Sequence, residues 1–248
     1  MFLSGAVLTF IIGAVIGSFL NVIIFRYSQD TMTILKPARS FCPTCKTTIK
    51  WYDNIPIISY MLLKGKCRAC HSPIPLRYFI VESLTAGLFL LNYGMFQNNL
   101  LKVVGACIIA ASLIVVFFID MDTMTISDWN SLFIVIGGLL IVFSEGSWLI
   151  NGITALIALL FMLLVYFVSH KGIGSGDVIL IAAAAFAIGP FNTIFSIFVA
   201  SLFGIIYAVA TKSSMKTKVP FGPFLAVGIY VSMLFGGFFS SLLERLYV

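Results

Sequence analysis

The chain has 248 residues, of which 60% are hydrophobic and only 10% charged, and its mean hydropathy is +1.10. A soluble domain carries about 25% charged residues, so these residues cannot clothe a soluble globule and the class is membrane-embedded. The formal charge of +6 is not distributed as a nucleic-acid surface: nine of the fifteen Lys and Arg fall between Arg26 and Arg77, the pattern of a segment held on the cytoplasmic side of a bilayer.

About 20 apolar residues cross a bilayer as a helix, and that template predicts eight spans. The first covers about 3–25. No Lys or Arg precedes its apolar run, so it lacks the charged start of a cleavable signal and reads as a retained helix. A polar stretch, 26–77, follows. Spans two and three cover about 78–96 and 100–119 and lead into the acidic segment 120–129. Spans four and five, about 130–144 and 148–168, are joined near Glu145. A Gly-rich break at 169–177 precedes an apolar run from Val178 to Thr211, which is too long for one ordinary span; Gly189-Pro190 divides it into spans six and seven. A basic loop with Lys212, Lys216 and Lys218 then leads to span eight, about 222–243. With 26–77 cytoplasmic, the segments 120–129, 169–177 and 212–221 are cytoplasmic too. Together they hold thirteen of the fifteen cations, leaving Lys102 and Arg245 opposite, with both termini outside.

Within the long loop, Cys42-Pro-Thr-Cys45 and Cys67-Arg-Ala-Cys70 are separated by 21 residues. Two CxxC pairs at this spacing suit a tetrahedral four-thiolate zinc site, which stiffens a loop too short to build its own core. Four sulfur ligands close the coordination sphere, so such a zinc is structural. Disulfides are the competing reading, disfavoured by a reducing cytoplasm. Cys67-Arg-Ala-Cys70-His71 also matches a c-type haem attachment pattern, which requires the opposite membrane face and leaves the first pair unexplained. The expected fold class is therefore an all-α polytopic membrane protein of about eight transmembrane helices, with a small cytoplasmic zinc-ribbon-like insertion between the first two. The expected divisions are 1–26 for the first helix, 27–77 for the four-cysteine domain and 78–248 for the membrane core.

Only nine residues are Asp or Glu. Asp120, Asp122 and Asp128 follow span three and Asp177 opens span six, all at the predicted cytoplasmic boundary. A carboxylate beside hydrocarbon is costly and marks a functional candidate. Asp122 and Asp128 read equally well as solvated charges or helix caps, and Asp177 could cap span six. The run Gly172-Ile-Gly174-Ser-Gly176-Asp177 follows an apolar span, not a strand, so it is no dinucleotide loop; its glycines suit close approach of the backbone to a neighbouring helix or peptide. Two carboxylates held together can work as general base and general acid on a peptide carbonyl without a metal. Asp120 and Asp177 share the depth and side for that. A proton-coupled transporter built on the same acids, or a non-enzymatic adaptor built on the cysteines, are the competing functions.

The ordered motifs resemble the type IV prepilin peptidases, and the resemblance covers nearly the whole chain. Gly17-Ser18-Phe19-Leu20-Asn21-Val22, ending at Arg26, is similar to that family's opening motif, and the two CxxC pairs to its zinc-binding domain. Asn54-Ile55-Pro56, Ser59-Tyr60 and Gly65-Lys66-Cys67 fit the sequence between the pairs, and Pro75-Leu76-Arg77-Tyr78 with Val81-Glu82 fits the exit into span two. Ile119-Asp120-Met121-Asp122 with Asp128 resembles the first catalytic motif, the Gly172, Gly174, Gly176 and Asp177 run the second, and Pro220-Phe221-Gly222-Pro223-Phe224 the late motif. Ser127 stands where the first motif usually has Pro, and Ile179 where the second usually has Lys; the aspartate pair itself is intact. The resemblance implies Asp120 and Asp177 as catalytic residues, Asp122, Asp128, Gly172, Gly174 and Gly176 in support, and Cys42, Cys45, Cys67 and Cys70 as zinc ligands. It further implies prepilin or pseudopilin substrates cut at the cytoplasmic face of the bacterial cell membrane, followed by N-methylation from S-adenosylmethionine. The short chain is most similar to the members serving Gram-positive competence systems.

Overall fold

The computed structural model describes residues 2–27, 29, 39–169, 173–211 and 219–246, with side chains described from 3 to 237 among these. Apart from two isolated β-bridges, the regular structure of the described residues is helical. The α-helices run α1 (Phe2–Tyr27), α2 (Ile58–Leu62), α3 (Leu76–Phe96), α4 (Leu100–Thr123), α5 (Asp128–Glu145), α6 (Trp148–Val168), α7 (Ser175–Ala210) and α8 (Gly222–Leu246), with one 3₁₀ turn at Trp51–Asn54. Six of them, α1 and α3 to α7, are long and apolar enough to cross a membrane, and Gly222–Gly237 is a shorter apolar stretch. The fold is the multi-pass helical one that the apolar runs predict. The chain forms two compact units, Met1–Gly94 and Met95–Val248.

In the first unit α1 and α3 lie antiparallel. Hydrocarbon offers no hydrophobic drive for helices to associate, so close backbone packing must supply the attraction. Gly13 and Gly17, one turn apart on α1, provide it: a Cβ on either would come within 2.8 Å of the Cα of Ala86 or Glu82 on α3. Further along, the buried Asn21 donates its amide to the Tyr78 carbonyl at 3.0 Å.

The second unit is a helix bundle in which α7 packs on α5, α6 and α8, and α4 packs on α5 and α8. Its core is aliphatic, built around Ile109, Leu113, Val116, Ile134, Ile181, Leu225 and Ile229. The division of the long apolar run falls where the sequence puts it. α7 is broken at Gly189, whose backbone (φ 76°, ψ −179°) lies where only glycine is at ease. Pro190 has no N–H to give to the carbonyl four residues back, Phe186, and hydrocarbon provides no water to replace it. The buried Asn151 of α6 fills the gap, its amide donating to the Phe186 carbonyl at 2.8 Å. Asn151→Leu keeps the bulk and removes the donor. It is expected to cost about 1–2 kcal/mol, measurable as a lowered unfolding midpoint in detergent.

One boundary differs from expectation in a way that matters. α4 does not stop at Ile119 but carries on through Asp120 to Thr123. It is closed by Met124 in the left-handed conformation, whose N–H donates to the Asp120 carbonyl. Nothing in Asp120-Met121-Asp122-Thr123 forbids helix, so polarity alone misplaced the end.

Candidate functional site

Asp120 lies in the last turn of α4 and Asp177 in the first turn of α7, both buried. The two carboxylates lie within electrostatic reach of each other. Asp120 Oδ2 accepts the Gly222 N–H at 2.9 Å. Gly222 is the first residue of α8, so Asp120 satisfies one of the donors every helix start leaves open, at the end where a helix favours negative charge.

Asp177 stands three residues after Gly174, the N-cap of α7, and its carboxylate accepts the Gly174 N–H. This is the reach-back half of a capping box. Capping occupies one oxygen only: Oδ1 is buried with no hydrogen-bond partner among the described residues. A buried acceptor left open is expensive, and such an oxygen can take a hydrogen bond from a bound group.

The glycines allow these loops to meet. A Cβ at Gly176 would sit 2.9 Å from the Ile126 side chain, in the turn between α4 and α5, so the two acidic segments touch there. A Cβ at Gly174 would come within 3.0 Å of Asp177 Oδ2. Asp122 and Asp128 are exposed. Asp128 occupies the first turn of α5, where a negative charge suits the helix start. Gly172 lies outside the described residues. Sequence reading placed Gly222 within a motif but gave it no role. Glu82 likewise stands within a motif without a role, although a carboxylate inside an apolar span is the same signal that singles out the aspartates. Glu82 is buried, and its Oε2 accepts the Ile57 N–H at 2.7 Å.

In the first unit the four thiols converge, every Sγ within 4.8 Å of the others. Each CxxC pair forms the same turn. The residue after the second Cys, Lys46 or His71, takes a left-handed conformation and donates its N–H to the first Cys carbonyl. The first Cys N–H in turn donates to the carbonyl five residues on, at Thr47 or Ser72. Sulfurs bound tetrahedrally at about 2.3 Å from zinc stand about 3.8 Å apart, and Cys42 and Cys70 are separated by 3.8 Å. Metal binding needs thiolates. The Cys45 backbone N–H, with the Ser72 hydroxyl, brings the Cys42 thiol down to about 6, and the Ser72 hydroxyl lowers Cys70. Arg68, between the second pair, grips Asp53 of the 3₁₀ turn through Nε and Nη2. The four cysteines can hold a metal ion, and the set fits a closed zinc site. The purified chain is expected to carry stoichiometric zinc, measured by elemental mass spectrometry. Cys67→Ser is expected to shed it and to open the 39–75 segment to proteolysis.

Two family models match. The bacterial peptidase A24 N-terminal domain covers residues 11–96, and the type IV leader peptidase family covers 107–209. The chain is 34% identical, over 90% of its length and 93% of the relative's, to a protein of Escherichia coli O78:H11 named a type 4 prepilin-like proteins leader peptide-processing enzyme. It is 32% identical, over 89% and 87% of the two chains, to a prepilin leader peptidase/N-methyltransferase of Neisseria gonorrhoeae. A protein of that same name from Aeromonas salmonicida is 30% identical, over 92% and 90%. No solved structure matches. With both family models matched in order and relatives aligned along nearly the whole length, the chain belongs to the type IV leader peptidase family.

Proposed function

We propose that this protein cleaves the leader peptides of type IV prepilins or pseudopilins at the cytoplasmic face of the cell membrane, with Asp120 and Asp177 as its acid–base pair. The observation that carries the reading is the buried pair itself: two neighbouring carboxylates, one with an oxygen that no group among the described residues satisfies. In the proposed step the ionised member of the pair takes a proton from water, and the hydroxide equivalent adds to the scissile carbonyl. The protonated member hydrogen-bonds the carbonyl oxygen as it becomes an oxyanion. Collapse of the tetrahedral species breaks the C–N bond as the proton passes to the leaving nitrogen. Gly222 N–H and Gly174 N–H each fix one carboxylate, so both rotamers are set before substrate arrives. The excess of Lys and Arg in the segments 26–77, 169–177 and 212–221 supports a cytoplasmic orientation for this end.

The new N-terminus is then methylated, with S-adenosylmethionine supplying the methyl group; this second activity follows the relatives' names, and no residue of this chain is given a part in it. Zinc on the four cysteines has a structural role, since four thiolates leave no open position for chemistry. Co-expression with a prepilin-like substrate, followed by mass spectrometry of the substrate's N-terminus, tests both activities. The expected product lacks its leader and is heavier by one methyl group. An uncut substrate beside a properly inserted enzyme defeats the reading, and a cut but unmethylated one removes the second activity alone.

A further inference from the structure

The segment between the two CxxC pairs carries a feature that neither zinc binding nor proteolysis uses. Its short helix α2 and the turn before it present apolar side chains outward: Ile58 is 54% exposed, Met61 64% and Leu62 76%. Soluble surfaces rarely cluster such residues without a partner. Their position along α3 identifies the partner. Ile57 donates its N–H to Glu82, and Glu82 lies six residues into a membrane-crossing helix that starts at Leu76. At 1.5 Å per residue that is about 9 Å along the helix from its start. The Tyr60 ring packs on Phe79 of α3, with centroids 5.4 Å apart, and the Tyr60 hydroxyl reaches the Ile74 carbonyl. The segment therefore runs beside the first turns of α3 and does not stand clear of it in water.

Irregular backbone at membrane depth survives only when its polar groups are satisfied by protein. Here they are. Glu82 takes the Ile57 N–H, and the buried Ser59 hydroxyl accepts the Ile55 N–H and donates to the Tyr52 carbonyl. Ile57 itself is held at φ 65°, a costly conformation for a β-branched residue, at the point where the chain dips and turns. Lys50 and Lys64, before and after the segment in sequence, are exposed, as suits a surface meeting anionic phosphates.

We propose that residues 55–62 form a re-entrant anchor seated at the boundary of headgroups and acyl chains, with membrane lipid as the partner of its exposed apolar face. Interfacial elements of this kind sink about 5–10 Å, comparable with the distance of Glu82 along α3 from the start of that helix. The cysteine module is thus fastened to the bilayer at its middle as well as through α1 and α3.

The test uses the full chain reconstituted in phosphatidylethanolamine/phosphatidylglycerol vesicles. Leu62→Trp, and separately Ile58→Trp, are placed in a background of Trp51→Phe, Trp129→Phe and Trp148→Phe. Tryptophan fluorescence is read with lipids brominated near the headgroup end or near the tail end of their chains, and with aqueous acrylamide. The new tryptophan is expected to lose most of its emission to shallow bromines, less to deep ones and little to acrylamide. Quenching by acrylamide alone places the segment in water and overturns the proposal. Quenching by neither reagent means that protein covers the face, a substrate or a second copy included, and overturns it equally. Should the background variant fail to insert, the wild-type chain is labelled by a photoactivatable lipid with its reactive group at headgroup depth. Modification mapped to 55–62 supports the anchor, and modification confined to the long helices refutes it.

Discussion

Asp120→Asn and Asp177→Asn are each expected to lower leader cleavage at least about a thousandfold, the scale of a lost acid–base group. Asparagine preserves shape, and its carbonyl oxygen can still accept the Gly222 or Gly174 N–H that holds each carboxylate. What it lacks is the capacity to take up or give a proton. In the proposed mechanism the two groups act as one unit, so the double variant is expected to be little worse than either single one. Neither substitution should cost stability, because removing charge from a buried site relieves desolvation; the variants are expected to unfold no earlier than the wild type. Asp122→Asn and Asp128→Asn serve as internal comparison. Both carboxylates are exposed, and each variant is expected to stay within a few-fold of wild type. Initial rates on a purified prepilin substrate in detergent decide the matter. Appreciable turnover by either buried-site variant would rule out the pair, and a stable but inactive Asp122 variant would move the chemistry to the wrong carboxylate.

The contrast between Asp120 and Asp122 shows where sequence reading succeeds and where it stops. Both were legible as costly charges next to an apolar run. A helix ending at Ile119, where the apolar run stops, leaves both in a loop and ranks neither by geometry. Once α4 runs to Thr123, residues two apart point to nearly opposite sides, and one turns inward while the other faces out. The cysteine cluster was legible because its geometry is encoded in local spacing: each CxxC closes its own turn, and only the meeting of the two turns needs the fold. The Gly189-Pro190 break was legible because proline's missing donor is a local fact, whereas the Asn151 amide that repairs it comes from another helix. The Ile57–Glu82 bond was hidden for the same reason, joining residues 25 apart in a segment that composition marked only as loop.

A hydrogen bond between residues remote in sequence also carries the sharpest structural prediction. Gly222 and Asp120 are 102 residues apart, yet a Cβ on Gly222 would lie 2.8 Å from Asp120 Oδ2, 2.9 Å from Cγ and 3.0 Å from Cβ. These atoms belong to a short side chain on a packed helix and cannot bend away as a long flexible one would. Gly222→Ala therefore forces a choice. Either the Asp120 carboxylate rotates off its position or the start of α8 withdraws, and both routes stretch the Gly222 N–H···Oδ2 bond. The expected outcome is a loss of kcat of about 100-fold with KM little changed, since misplacing a reacting group by about 1 Å costs that much. Stability should fall by about 1–3 kcal/mol from overpacking. Gly152→Ala is the control: nothing lies within 4 Å of its Cβ position in α6, so it should be neutral or slightly stabilising. A fall in stability without a fall in kcat would make Gly222 a packing residue only. A fall in kcat that appears at full stability would show that the N-terminus of α8 holds the Asp120 carboxylate in place for the proposed step.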